Sequence, residues 1–189
     1  DRHLRQLQVG FIEADVTRAQ LSVLDAGPVR GDGIFETFSV ASGRPQSLEL
    51  HLERFAASAG ALDLPEPTLA VWRDAIFALS ARLADVEEAW LKIVLTRGVE
   101  VGPAATGSAP EGTPPTGWVY AAPSPDFTAA RTEGVRVVIL DRGLPSDVAE
   151  RSPWLLAGAK TLSYAVNRAA QREAGRRDAD DVVFVSSDG

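Results

Sequence analysis

Apolar residues alternate with polar ones, or recur at helical spacing, in separate segments of the first half of the chain. Residues 34–40 alternate and are rich in β-forming side chains, which predicts a strand. Residues 47–59 carry apolar side chains at helical spacing, and Gly60 is expected to end this helix. Thr68 is expected to cap a second helix. The apolar stripes of the two helices are Leu48, Leu52, Phe55 and Ala59, and then Leu69, Trp72, Ile76, Leu79 and Leu83.

The rest of the chain combines further strands with one helix and two irregular segments. Residues 102–117 are dominated by Gly, Pro, Ala, Ser and Thr, and we expect them to form a mobile surface loop. Residues 141–154 contain two prolines and are expected to be irregular. Strands are predicted at residues 90–96, 118–122, 135–140 and 182–186, and a helix at residues 162–174, ended by Gly175. Because strands and helices do not alternate strictly, the pattern favours an α+β fold.

Proline and turn residues suggest how the chain is divided. The Pro-Ser-Pro sequence at residues 123–125 is typical of a stiff linker. We therefore expect an N-terminal α+β domain at residues 1–120, a linker at residues 121–130, and part of a C-terminal domain at residues 131–189. The Ser-Asp-Gly sequence at residues 187–189 is a hairpin turn signal, and a hairpin turn needs a returning strand. We therefore expect the printed sequence to be a C-terminally truncated fragment.

Composition and charge exclude several classes of function. The formal net charge of −7 argues against nucleic acid as a partner, because phosphate binding favours a basic surface. The chain has no cysteine and only two histidines, His3 and His51, so we expect no metal site. No apolar stretch approaches the ~20 residues of a membrane span, and no signal peptide pattern opens the chain. These features predict a cytoplasmic protein that binds neither nucleic acid nor membrane.

Lysine is scarce in this chain, and one lysine lies in an apolar segment. The sequence has 17 arginines and two lysines, and Lys160 ends the run Trp-Leu-Leu-Ala-Gly-Ala-Lys at residues 154–160. Unlike arginine, a desolvated lysine can lose its proton and attack a carbonyl group. Lys160 is therefore a candidate for a lysine that forms a Schiff base. The alternative is a lysine at the start of a helix that extends its charged end into water.

Four motifs occur in an order and spacing that resemble one enzyme family. They are Arg-Gly-Asp-Gly-Ile-Phe-Glu-Thr at residues 30–37, His-Leu-Glu-Arg at 51–54, Leu-Thr-Arg-Gly at 95–98, and Ala-Lys-Thr-Leu-Ser-Tyr at 159–164. Together they resemble the fold-type IV pyridoxal-phosphate enzymes, which include branched-chain aminotransferases, D-amino acid aminotransferases and 4-amino-4-deoxychorismate lyases. The resemblance covers about residues 20–189. It implies a two-domain architecture, with a small N-terminal α/β domain and an incomplete C-terminal domain.

The resemblance implies a role for three residues in binding pyridoxal 5'-phosphate. Lys160 would hold the cofactor on its amine and later move a proton. Arg54 would bind the cofactor phosphate, since a guanidinium group fits phosphate with two hydrogen bonds. Tyr164 would donate a hydrogen bond to the phenolic oxygen of the cofactor, from a position four residues along a helix from Lys160. The alternatives are a solvated arginine on a helix face and a partly buried helix tyrosine.

Three further residues are candidates for substrate binding. Arg97 matches an arginine that binds the substrate carboxylate in the D-amino acid aminotransferase branch, although it could instead cap a loop at the end of its strand. Phe35 matches an aromatic residue that lines the substrate pocket, although a strand phenylalanine is more often part of the core. Arg30 occupies a position where an aromatic residue often precedes Gly31. It could provide an extra anion contact for a dicarboxylate substrate.

The resemblance implies a pyridoxal-phosphate enzyme that acts on a small amine or amino-acid substrate. The leading interpretation is a 4-amino-4-deoxychorismate lyase, which forms 4-aminobenzoate and pyruvate, with Lys160 as the base. The alternative is a branched-chain or D-amino acid aminotransferase that uses the same lysine. An alternative of another class is a non-catalytic fragment or binding domain. The family also implies a homodimer, and a glutamate beyond residue 189 that pairs with the pyridine nitrogen of the cofactor.

Overall fold

The fold is that of a computed structural model, which describes Phe11 and residues 14–100 and 114–189. Most of the loop expected at residues 102–117 lies outside the described residues, as does His3. The strands are β1 (Gly33–Ala41), β2 (Arg44–Pro45), β3 (Glu88–Thr96), β4 (Thr116–Pro123), β5 (Val137–Asp141) and β6 (Asp181–Val185). The helices are α1 (Ala26–Arg30), α2 (Leu48–Ala61), α3 (Leu69–Ala81), α4 (Thr128–Glu133), α5 (Val148–Arg151) and α6 (Ala165–Arg176), with a short 3₁₀ helix at Pro153–Leu155.

The first four strands form one antiparallel sheet in the order β2-β1-β3-β4, and α2 and α3 cover one of its faces. Apolar side chains from alternate strand positions meet the apolar stripes of the helices there, as the period-2 and helical patterns predict. The core side chains include Ile34, Phe38, Val40, Leu91, Ile93 and Leu95 from the sheet, and Leu52, Phe55, Trp72 and Ile76 from the helices. Antiparallel strands beside separate helices confirm the predicted α+β class.

The opposite face of this sheet carries a different set of side chains, and we call it the outer face. In the registers of β1 with β3 and of β3 with β4, directly paired residues share a face. The outer face therefore carries Phe35 and Thr37 of β1, Lys92 and Val94 of β3, and Trp118 and Tyr120 of β4.

Glycine does not end the helices where the sequence predicted. Gly60 lies inside α2, which continues to Ala61, and the amide of Leu62 donates to the carbonyl of Ser58. Gly175 lies inside α6 in the same way. An added Cβ at either glycine would meet no atom within 4 Å, so neither is required there by close contact. Backbone hydrogen bonds continue each helix beyond its glycine, although glycine stabilises a helix less than most other residues do.

The second half of the chain forms a smaller unit. β5 and β6 pair in parallel, and α6 packs against both strands. The segment expected to be irregular, residues 141–154, contains α5 and the beginning of the 3₁₀ helix. The expected linker, residues 121–130, contains the end of β4 and the start of α4, and the predicted domain division stays a prediction. Within the described residues, no helix combines the length and apolar character that crossing a membrane requires.

Candidate active site

Lys160 is held by backbone pairing to the edge of β1. Its carbonyl accepts a hydrogen bond from the amide of Phe35 at 3.0 Å, and the amide of Leu162 donates to the carbonyl of Gly33 at 2.8 Å. The Lys160 amide donates to Ser58 Oγ of α2 at 3.1 Å. The segment around Lys160 is therefore extended, and α6 begins only at Ala165 rather than at Leu162 as predicted. This edge pairing fixes the point from which the Lys160 side chain extends.

The amine of Lys160 lies against an aromatic ring, with Nζ at 4.4 Å from the centroid of Phe35. Partial burial lowers the pKa of Lys160, because removal from water penalises its charged form. The nearby carboxylate of Glu36 opposes this shift of the pKa, whereas the positive charges of Arg54 and Lys92 add to it. A lowered pKa increases the fraction of the neutral amine, which is the nucleophilic form.

Arg54 and His51, one turn apart on α2, both bind the carboxylate of Glu36. Arg54 donates from Nε to Glu36 Oε1 at 2.6 Å and from Nη2 to Oε2 at 2.7 Å, and His51 Nδ1 lies 2.8 Å from Oε2. The side chain of Glu36 is fully buried, whereas that of Arg54 is 51% exposed. Within the described part of the chain, Nη1 of Arg54 has no partner. One edge of the guanidinium group is thus fixed, and the other edge is available to an anion.

Phe35 and Tyr164, which were predicted from the motifs, lie together beside Lys160. Their rings meet edge to face, with centroids 5.5 Å apart and an interplanar angle of 80°. Tyr164 immediately precedes α6, so the predicted helical relation between Tyr164 and Lys160 is wrong. What the two residues share is a contact with the ring of Phe35.

The two arginines that were predicted to bind substrate, Arg97 and Arg30, both have acidic partners. Arg97 binds both carboxylate oxygens of Asp32, and it also donates to the carbonyls of Leu62 and Asp63. This geometry supports the loop-capping alternative for Arg97. A depression of about 410 Å³ adjoins Arg97, but Lys160 does not line it. Arg30, the last residue of α1, forms an ion pair with Glu100 at 2.7 Å.

One residue of this region was not singled out by the sequence analysis. Lys92 projects from β3 onto the outer face, and its Nζ lies 4.6 Å from the centroid of the same Phe35 ring. The two lysines of the chain therefore share one aromatic contact. The scarcity of lysine that drew attention to Lys160 applies equally to Lys92, and that signal could have identified it.

The side chains present fit pyridoxal phosphate. Lys160 has an amine with a lowered pKa that would suit the aldehyde group, and Arg54 has a free guanidinium edge that would suit the phosphate. Phe35 supplies an aromatic contact to the amine, and the ring of Tyr164 packs on Phe35. An amine for the aldehyde and a guanidinium group for the phosphate are two of the groups with which a protein can hold this cofactor.

Comparison with known proteins assigns the family. A family model described as amino-transferase class IV matches residues 33–189, and the chain therefore belongs to this family. It is the family of fold-type IV enzymes that the four motifs indicate. The predicted family, its enzymatic nature, its fold and its cofactor, pyridoxal phosphate, are confirmed at the level of the family.

Individual relatives resemble the chain over most of its length. A bifunctional aminodeoxychorismate lyase / D-amino acid transaminase of Mycobacterium tuberculosis is 45% identical over 168 residues, which are 87% of this chain and 55% of the relative. The structure of the fold IV-transaminase CpuTA1 from Curtobacterium pusillum is 54% identical with a TM-score of 0.82, over 93% of this chain and 58% of that one. The PLP-bound form of a hypothetical aminotransferase from M. tuberculosis is 43% identical with a TM-score of 0.83, over 93% of this chain and 60% of that one. The chain thus spans 55–60% of the length of these relatives.

Proposed function

We propose that the whole protein to which this chain belongs is a pyridoxal-phosphate enzyme that carries its cofactor on Lys160. The observation that carries the proposal is the position of the Lys160 amine. It lies on the ring of Phe35 with a lowered pKa, close enough to the Glu36–Arg54 pair to be influenced by both charges. The neutral form of a lysine amine, which a lowered pKa makes more abundant, can act both as a nucleophile and as a base.

Each described residue of the site has a defined task in this proposal. When bound, pyridoxal phosphate withdraws electrons from the carbon atoms next to the substrate amine. Lys160 Nζ accepts a proton from the substrate and returns it. Arg54 binds the phosphate through Nη1, while Glu36 fixes the orientation of the guanidinium group. Tyr164 donates its hydroxyl hydrogen bond to the phenolic oxygen of the cofactor.

For the reaction, we propose a lyase that converts 4-amino-4-deoxychorismate into 4-aminobenzoate and pyruvate. An aminotransferase acting on D-amino acids or branched-chain amino acids is the second candidate. The motifs fit both reactions. A relative named for both aminodeoxychorismate lyase and D-amino acid transaminase activities supports both candidates for this chain. We also propose a homodimer, which light scattering of the full-length protein would test.

The experiment that separates the two reactions uses the full-length protein. A lyase releases pyruvate from aminodeoxychorismate without any added 2-oxo acid, whereas transamination requires a 2-oxo acid as the amine acceptor. We expect pyruvate release without an acceptor, and we expect Lys160→Ala to abolish it. Amine transfer that depends on the acceptor, without pyruvate release, would support the aminotransferase instead. The absence of both activities would contradict the proposal that this protein is an enzyme of either kind.

A further inference from the structure

Three polar side chains form a row across the outer face of the sheet. Thr37 of β1 is directly paired with Lys92 of β3, and Lys92 is directly paired with Tyr120 of β4. Directly paired residues on one face have their Cβ atoms about 5 Å apart, so the three side chains are neighbours. The row contains an ammonium group between two hydroxyl groups. Such a set of hydrogen-bond donors suits a carboxylate.

The row has no polar partners of its own within the described part of the chain. Lys92 forms no ion pair there, and its Nζ instead rests on the ring of Phe35. Neither hydroxyl group forms a hydrogen bond to a described residue, and Thr37 and Tyr120 are both exposed. By contrast, the arginines proposed from the sequence are each bound to a carboxylate, Arg54 to Glu36, Arg97 to Asp32 and Arg30 to Glu100. Within the described residues, Lys92 is therefore a cation of this region that forms no ion pair and is available to a ligand, in addition to the free edge of Arg54.

The row begins on β1 and extends across β3 and β4, away from the edge of β1 with which the Lys160 segment pairs. The segment of Lys160 pairs with one edge of β1, and β3 pairs with the other edge, with Lys160 opposite Phe35 and Lys92 opposite Thr37. The backbones of Lys160 and Lys92 are therefore about 9.6 Å apart across the sheet and two residues apart along it, which is about 12 Å in all. Both amines converge on the Phe35 ring, which brings them closer than their backbones. A substrate whose amine reacts at Lys160 would therefore reach Lys92 with a group several bonds away.

We infer that Thr37, Lys92 and Tyr120 form a binding site for a second carboxylate of the substrate, distant from the amine that reacts at Lys160. The inference rests on the proposed function and narrows its substrates to dicarboxylic compounds. It transfers to Lys92 the role that the sequence suggested for Arg30, whose guanidinium group is bound to Glu100. Both amines contact the ring of Phe35, so one aromatic side chain helps to position both lysines.

The test compares two ligands of the full-length protein loaded with pyridoxal phosphate. Glutarate and pentanoate both have five carbons, but only glutarate has a second carboxylate. We expect calorimetry to show that the wild-type protein binds glutarate more tightly. Lys92→Met should weaken glutarate binding about tenfold and leave pentanoate binding within about twofold. Lys92→Arg should retain the preference for glutarate, because it keeps the positive charge.

Two further variants complete the test. Tyr120→Phe removes one exposed hydroxyl group and should weaken glutarate binding severalfold even if Lys92→Met fails to fold. Arg131→Met removes an exposed cation that is bound to Glu88, near the other end of β3, and should leave the preference unchanged. The inference would be overturned if Lys92→Met or Tyr120→Phe kept the wild-type preference for glutarate over pentanoate. It would also be overturned if either variant lost affinity equally for both ligands.

The same samples separate this inference from the proposed function. Cofactor attachment is measured independently, as absorbance that borohydride fixes to the protein. A wild-type protein to which no cofactor is fixed would overturn the proposed function. A loaded wild-type protein without a preference for glutarate would overturn only the second carboxylate site.

Discussion

Glu36 is a buried carboxylate on which the orientation of Arg54 depends. The change Glu36→Gln removes the charge that binds Arg54 and His51. Because Arg54 is half-exposed and can be hydrated, we expect a moderate loss of unfolding free energy, about 2 kcal/mol. Urea denaturation would measure this loss. Weaker binding of pyridoxal phosphate by the full-length variant should accompany it.

The chain provides a matched control in an exposed pair of the same geometry. Arg73 binds both carboxylate oxygens of Glu49 at the surface, with distances of 3.1 and 2.7 Å. Glu49→Gln should therefore cost much less stability than Glu36→Gln, since exposed ion pairs contribute little. Equal losses in the two variants would show that burial of Glu36 does not determine its contribution.

The same carboxylate makes a pH-dependent contribution to stability. Burial by itself would raise the pKa of Glu36, but hydrogen bonds from Arg54 and His51 outweigh burial and hold the pKa below its ordinary value of 4.5. A depressed pKa in the folded state stabilises the protein above the unfolded-state pKa, and the contribution disappears as the pH falls through the folded-state pKa. We expect the urea midpoint of Glu36→Gln to fall less than that of the wild type between pH 7 and pH 3. An equal fall of the urea midpoint in both proteins would contradict this pH-dependent contribution of Glu36.

Lys92 also affects the protonation of Lys160. Burial is the main cause of the lowered pKa of Lys160, and the positive charge of Lys92 lowers that pKa further from its ordinary value of 10.5. Removing this charge in Lys92→Met should raise the pKa of Lys160, so a higher pH is needed to form the neutral amine. In protein free of cofactor, the rate at which acetic anhydride acetylates Lys160, measured by peptide mass spectrometry at a series of pH values, would show the shift. Arg131→Met should leave the profile in place, whereas an unshifted profile in Lys92→Met would refute the coupling.

At the scale of elements, the position of Gly60 within α2 predicts how its replacement by alanine affects stability. This glycine lies within the helix, its backbone does not adopt a positive φ, and an added Cβ would have no neighbour within 4 Å. Gly60→Ala should therefore increase the unfolding free energy by about 0.5–1 kcal/mol, through better helix propensity and a less flexible unfolded chain. Thermal or urea unfolding would measure the change. Destabilisation would instead support the helix-ending role that the sequence suggested.

Local patterns were sufficient for the elements that bury an apolar face. The alternation of β1 and the stripes of α2 and α3 reflect contacts with one shared core, so periodicity alone predicts them. The pairing of residues 160–162 with β1 has no such local signal, because it joins segments that are distant in sequence. Only the structure shows that this pairing needs a glycine at position 33. A Cβ there would lie 2.7 Å from both Leu162 Cδ1 and the carbonyl oxygen of Leu95.

The candidate site was predicted only in part, because some of its contacts also join segments that are distant in sequence. Lys160, Phe35 and Tyr164 occur in the motifs, and the structure places them together. Residue type alone could not show which arginines already have partners. Arg97 and Asp32 are 65 positions apart in sequence and form an ion pair, and Arg30 and Glu100 are 70 positions apart. Ion pairs of this kind follow from the register of the sheet and the packing of loops, which a single sequence does not reveal.

At the scale of the whole molecule, the two faces of the main sheet carry different sets of side chains. One face packs on α2 and α3 and forms the core, whereas the outer face presents Phe35 and Lys92. Lys160 joins this face through pairing at the edge of β1, so the reactive amine is attached to a rigid element. This arrangement holds the amine in place through hydrogen bonds that do not involve the amine itself.

The attachment of the cofactor to Lys160 is tested most directly by mass spectrometry. The full-length protein loaded with pyridoxal phosphate is reduced with borohydride and digested, and the modified peptide is sequenced. We predict a single adduct on Lys160, with none on Lys92, the other lysine of the printed sequence. An adduct on any other residue, or the absence of an adduct from the loaded protein, would contradict the account.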